Sequence, residues 1–194
     1  FIDIVGLSDP TMSTDTQTSK IKALNKCIEN CKTFSNETGQ KLILPTGDGM
    51  VIGFVGGLTQ PLDLAIDLQK EIEVYNSDKV DLDKVNARIG CHSGNVFQVE
   101  DILGNLNLWG PGIILARRVM DIGDGGHILI TSDMAESLME ISPKYKEILH
   151  PLHDYKIKHE QKILIYSAHG DGFGNEKLPS KGLVYPKDNP LSSG

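Results

Sequence analysis

Two carboxylates stand where carboxylates are unusual. Asp3 interrupts the short apolar run Phe1 to Val5, and Asp48 sits in the Gly-Asp-Gly segment of PTGDGM. Two apolar runs flank Thr46-Gly47-Asp48-Gly49, which predicts a hairpin with Asp48 at its tip. If the first strand lies beside that hairpin, the carboxylates face one another across a strand spacing of ~4.8 Å. Two charges that close repel unless protonated or neutralised. Hard oxygen ligands of this kind suit Mg²⁺, which takes one or two carboxylates plus substrate phosphates. Gly47 and Gly49 would let the backbone approach a phosphate closely. The plainer alternative is an Asx residue in a turn and a polar strand end, and a lone Gly-Asp-Gly does not choose between them.

The elements that must position these groups follow from periodicity. Phe1 to Val5 is a strand. Ile21, Leu24, Ile28 and Cys31 keep helical spacing, with Ser13 or Thr14 as N-cap and Asn36 and Gly39 closing the helix. After the hairpin, Pro61 opens a second helix carrying Leu62, Ala65, Ile66, Gln69 and Ile72 on one face. Val85 to His92 is a strand, followed by the turn residues Ser93 and Gly94. The order is βαββαβ, an α+β fold of the ferredoxin-like class with a four-stranded antiparallel sheet and two helices on one face. Further elements extend it: a strand near Val96–Ile102, a helix from about Gly112 to Ile122, a strand His127–Thr131, and a short helix capped by Ser132 or Asp133. Two last strands fall near His153–Lys158 and Lys162–Ala168. Asp121 and Asp124 with Gly123, Gly125 and Gly126 form a helix-to-strand turn. One domain is expected over 1–169, with a Gly/Pro-rich tail or linker over 170–194. Because the chain opens inside a strand, residues upstream are expected.

Composition removes several function classes. Nineteen Lys+Arg against 26 Asp+Glu give a net charge of −7, the wrong sign for non-specific nucleic-acid binding. Aromatics at 6% are too few for a ferredoxin-like RNA binder, which stacks bases on its sheet. No apolar run approaches a membrane span. Cys27, Cys31 and Cys91 are too few for a disulfide framework and predict a reducing, cytoplasmic setting, with Cys27 and Cys31 as helix packing. His150, His153, His159 and His169 do not keep zinc-ligand spacing, and His92 is a structural turn residue. Trp109 is expected to pack at a helix entry, and the methionines to fill core or interface.

Four motifs occur in order: FIDIVG at 1–6, GDGM at 47–50, ARIGCHSG at 87–94 and WGPGIILARRVM at 109–120. Together they resemble the class III nucleotidyl cyclase catalytic domain, from Phe1 to about Ala168. LPTGDGMVIGF, WGPG and RRVMDIGDGGHILIT look like a bacterial or archaeal branch. The GG[DE]EF-type hairpin of diguanylate cyclases is not matched. The resemblance implies that Asp3, Asp48 and the carbonyl of Ile4 bind two divalent ions, Mg²⁺ or Mn²⁺. It implies attack of a nucleoside triphosphate's 3′-hydroxyl on the α-phosphorus, with pyrophosphate leaving. Arg88 matches a position that contacts terminal phosphates, Arg118 the arginine that stabilises the transition state, and Lys158 a triphosphate-binding lysine. A head-to-tail homodimer is implied, one chain giving the aspartates and the other the base pocket and Arg118. Three positions depart from the family. Ile114 replaces a ribose-binding asparagine, and Leu44 and Asn107 match neither the adenine-selecting nor the guanine-selecting pair. Two readings follow: an active cyclase, with ATP the default substrate, or a cyclase-homology module that binds nucleotide or metal and dimerises with little turnover.

Overall fold

Strand β1 (Ile2–Ile4) is buried along its whole length, because it is paired on both sides. In the computed structural model, which describes residues 1–36, 40–152, 155–156 and 162–181, its neighbours are β3 (Gly49–Phe54) and β4 (Ala87–Cys91). β3 pairs in turn with β2 (Lys41–Pro45) through the predicted hairpin. With β7 (Ile128–Thr131), β8 (Leu149–Pro151) and β11 (Ile165–Ala168), the sheet runs β2-β3-β1-β4-β7-β11-β8. Its first four strands are antiparallel, as the βαββαβ order predicts. β4 and β7 are parallel, so the extended sheet is mixed.

Alternation along the strands explains the layers. Ile89, Ile128 and Ile130 point to one face, where α1 (Thr14–Asn30) and α3 (Gln60–Asn76) pack with Leu24, Ile28, Leu62 and Leu68. Leu129 and Ile165 point to the other, under Val119 and Ile122 of α4 (Pro111–Ile122). Gly90 faces α4 too. A Cβ there would lie 2.3 Å from Ala116 O and 2.5 Å from Met120 N, so only glycine lets the helix this close.

Several boundaries differ from the sequence expectation. Ser13 caps α1 as expected, its Oγ accepting from Thr16 N at 3.2 Å. The helix stops at Asn30, however, and a separate α2 (Lys32–Asn36) follows. Asp67 of α3 captures both Thr33 N at 3.0 Å and Thr33 Oγ1 at 2.7 Å, which fixes the new start. Gly39 lies outside the described residues. The strand expected near Val96–Ile102 is β5 (Phe97–Glu100), and it pairs with β6 (Leu106–Trp109), which the sequence did not signal. Trp109 is 68% exposed on this hairpin, so it is not the packing residue expected. α5 (Ser132–Ile141) is followed by the unanticipated α6 (Pro143–Ile148), tied to α3 by Tyr145 Oη and Lys144 Nζ on the Asp63 carboxylate. Near the end, β9 (Tyr155–Lys156) pairs with β10 (Lys162–Ile163), and Leu164 separates β10 from β11. His150 and His169 stack with ring centroids 3.9 Å apart, while His153 and His159 lie outside the described residues.

Candidate active site

The pairing of β1 places Asp3 opposite Gly49 on one side and opposite Arg88 on the other. Gly49 permits this: a Cβ there would lie 1.9 Å from Ile2 O. The hairpin tip closes with Thr46 N donating to Gly49 O at 3.0 Å, and Gly47 takes a φ of +92°. Ile4 N donates to Asp48 O at 3.0 Å, which draws the tip onto β1. Asp3, Ile4 and Asp48 therefore converge at one end of the sheet, with Gly47 beside them.

Asp3 is 4% exposed, and its counter-ion comes from the same chain. Arg88 Nε and Nη2 both donate to Asp3 Oδ2, at 2.8 and 2.7 Å. Arg88 Nη1 turns away to the carboxyl end of α4, donating to Asp121 O and Gly123 O at 3.3 Å each. A helix C-terminus offers such unpaired carbonyls and favours a cation. Burial pushes the Asp3 carboxyl above its ordinary value; Arg88 pulls it down, and Asp48 pushes it up again. The net direction is upward, so the charge on Asp3 is only partly compensated by Arg88.

This donor set fits a hard divalent cation: two carboxylates and the Ile4 carbonyl, with the charge on Asp3 only partly compensated by Arg88. Among the described residues, no group of three or more His, Cys, Asp or Glu could hold a metal. The remaining coordination would fall to water and substrate phosphate, which is how Mg²⁺ is ordinarily held.

The other predicted residues lie apart from this cluster. Arg118 is half-buried on α4 and has neither hydrogen bond nor ion pair among the described residues. Ile114, one turn earlier, is 46% exposed. Leu44 pairs with Val51 in the hairpin, and Asn107 lies on β6, which packs against β2. Asn107 Nδ2 donates to Asp101 Oδ2 at 3.1 Å. Lys158 lies outside the described residues. His92 makes the structural contact expected, its Nδ1 2.9 Å from Thr131 Oγ1. Sequence reasoning missed the backbone acceptors of Arg88 at Asp121 and Gly123, and Asp101 beside Asn107. Carbonyls carry no residue signature, and Asp101 fell inside the strand expected near Val96–Ile102.

The sequence profile described as the adenylate and guanylate cyclase catalytic domain matches residues 1–170. No curated protein matches the sequence. Among solved structures, the chain is similar to an adenylate/guanylate cyclase/hydrolase from Silicibacter pomeroyi, at 22% identity and a TM-score of 0.66 over 88% of this chain and 94% of that one. The guanylate cyclase domain of RhGC from Catenaria anguillulae, solved with GTP, matches at 18% identity and 0.66, over 87% and 92%. Adenylyl cyclase CyaB from P. aeruginosa matches at 16% and 0.66, over 87% and 91%. At these identities the likeness is one of fold.

Proposed function

Because this chain belongs to the adenylate and guanylate cyclase catalytic domain family, we propose that it is a nucleotidyl cyclase, with ATP as the default substrate. The observation that carries the reading is the convergence of Asp3, Ile4 and Asp48 beside Arg88. Asp3, Asp48 and the Ile4 carbonyl would hold Mg²⁺ or Mn²⁺, two per site. Bound there, such ions neutralise phosphate charge and make the 3′-hydroxyl easier to deprotonate. In the reaction the 3′-oxygen–phosphorus bond forms, the bond from the α-phosphorus to the bridging oxygen breaks, and pyrophosphate leaves. The hydroxyl proton passes to solvent.

The chain's own residues bind and orient. Arg88 exchanges Asp3 for the terminal phosphates, a partner its planar fork suits. Gly47 at positive φ brings backbone close to the phosphates. Lys158 would add a second cation to the triphosphate. Arg118 keeps its donors unspent and offers them to the charge that develops at the α-phosphate. Asn107 and Leu44 border the base, with Asn107 fixed by Asp101.

Arg88, not Arg118, is the cation bonded to Asp3 in the protomer, and we take Arg118 to reach the aspartates of a second copy. A head-to-tail homodimer with two equivalent sites supplies it. Phe97, Leu106 and Trp109 on the β5–β6 hairpin are 57, 58 and 68% exposed, a patch suited to such an interface. No described helix is long and apolar enough to cross a membrane. We place the domain in the cytoplasm, consistent with three free buried cysteines.

The test is turnover at high protein concentration with Mn²⁺ and ATP, GTP, CTP or UTP separately, scored by mass spectrometry for cyclic monophosphate and pyrophosphate. Asp48→Asn should abolish the product. Full activity in that variant would refute the metal assignment. Silence with all four nucleotides, in a chain that dimerises by light scattering, would favour the non-catalytic module.

A further inference from the structure

Residues 170–181 follow β11 and run back along the turn between α4 and β7. They bind it at four points. Asn175 Nδ2 donates to Gly125 O at 2.9 Å. Ser180 N and Ser180 Oγ each donate to the Asp124 carboxylate at 2.7 Å. His127 is fully buried beneath them. Its Nδ1 accepts from Asp124 N at 2.8 Å, so Nε2 carries the proton and donates to Lys177 O at 2.7 Å. The segment is thus held by the very turn whose preceding carbonyls, Asp121 O and Gly123 O, hold Arg88 Nη1.

A helix end left to itself frays, and its last carbonyls move with it. The two anchors of Arg88 at 3.3 Å are long, so they hold the guanidinium only as firmly as the turn is held. We propose that residues 170–181 are a strap that positions Arg88 for phosphate binding, with Asp124, His127 and Ser180 as positioning residues. The proposal rests on the cyclase reading for the phosphate, but not for the mechanical link. When a triphosphate draws Arg88 off Asp3, the α4 carbonyls remain as its anchor. A strapped turn keeps the fork aimed, and a loose one makes binding pay for ordering it. Strap release should therefore weaken substrate and pyrophosphate binding more than it slows the chemical step.

Ser180 is exposed, so its substitution leaves the core intact. Ser180→Glu sets a carboxylate against Asp124, while Ser180→Thr keeps the hydroxyl. In Ser180→Glu, KM for the triphosphate and the inhibition constant for pyrophosphate should each rise about tenfold, with kcat within about twofold of native. Ser180→Thr should restore both. In an Arg88→Lys background, Ser180→Glu should add nothing, because the group it acts through is gone. The same rise in that background, or no rise at all, overturns the proposal. A second measurement does not depend on turnover: solvent exchange of the Arg88 Nε–H by NMR should quicken about tenfold in Ser180→Glu. If native protein makes no product, the cyclase reading fails while faster exchange still supports the strap. Unchanged exchange refutes the strap whatever the turnover.

Discussion

Arg88→Met and Asp3→Asn remove one ion pair from opposite ends, and their effects on stability should be unequal. Arg88→Met leaves the Asp3 carboxylate 4% exposed, next to Asp48, without a cation. Removing one partner of a buried pair costs about 3–5 kcal/mol. The Arg88 side chain keeps 17% of its surface in solvent, which argues for the lower end, about 3 kcal/mol. With a urea slope of about 2 kcal/mol/M, the midpoint would fall by about 1.5 M. Asp3→Asn instead removes a charge that the fold already disfavours. Its amide oxygen still accepts from Arg88, which also keeps the two carbonyls at the end of α4. That substitution should cost about 1 kcal/mol. The assay is urea unfolding at fixed protein concentration, without divalent ions, at pH 7.5. Acid gives an internal check. A carboxyl raised in the folded state binds protons more readily there than in the unfolded chain, so lowering the pH through its folded value stabilises. Arg88→Met should therefore recover part of its loss as the pH falls toward 5, and Asp3→Asn should not. Equal costs for the two variants, or a larger cost for Asp3→Asn, would refute the view that Asp3 is an under-compensated charge.

Other outcomes can be stated briefly. Gly90→Ala drives a Cβ into Ala116 O and Met120 N, backbone atoms that cannot yield locally. It should cost about 3 kcal/mol and reduce turnover as α4 shifts; an unchanged melting temperature would contradict the packing argument. Ile114→Asn is at an exposed site and should leave stability within about 0.5 kcal/mol. Turnover should rise about tenfold if the ribose lacks a donor there, and no change would mean that another residue holds the ribose. His92 and His169 are both held below the ordinary imidazole value, first by burial, with stacked His150 adding to the effect at His169. Their stabilisation is present above the unfolded value of 6.5 and is lost as the pH falls below it. Thermal melts from pH 7.5 to 5.5 should therefore decline, and the decline should shrink in His169→Gln.

The meeting of Asp3 and Asp48 was legible because the βαββαβ order fixes which strands adjoin, whereas the pairing of Arg88 with Asp3 was not anticipated. Once β1 is central, residues opposite in register must meet. The end of α1 was not legible, because Asp67 on another helix sets it. Strand β6 escaped notice although Leu106, Asn107 and Leu108 alternate, because it is only four residues long and runs directly into the turn that starts α4. The grip of α4 on Arg88 was invisible for a different reason: any residue there would present the same carbonyls. Residues 170–181 have the Gly, Pro and Ser content of a linker, and composition does not register that Asn175 and Ser180 meet matching groups on a turn 50 and 56 residues earlier. The departures Ile114, Leu44 and Asn107 were plain in the sequence, but the contact that fixes the Asn107 amide was not.

The central place of β1 also bears on how the chain folds. Its partners are residues 49–50 in β3 and 87–89 in β4, so this strand is made before both and is enclosed only after them. Closing a loop of that length is entropically slow and cannot begin until the second partner has been synthesised. Hairpin β2–β3 is local and can form early, carrying Asp48 with it. Asp3 and Arg88 join only when β4 closes on β1, so completion of the ion pair would report that closure. A time-resolved probe at Arg88 should then lag one placed in the hairpin.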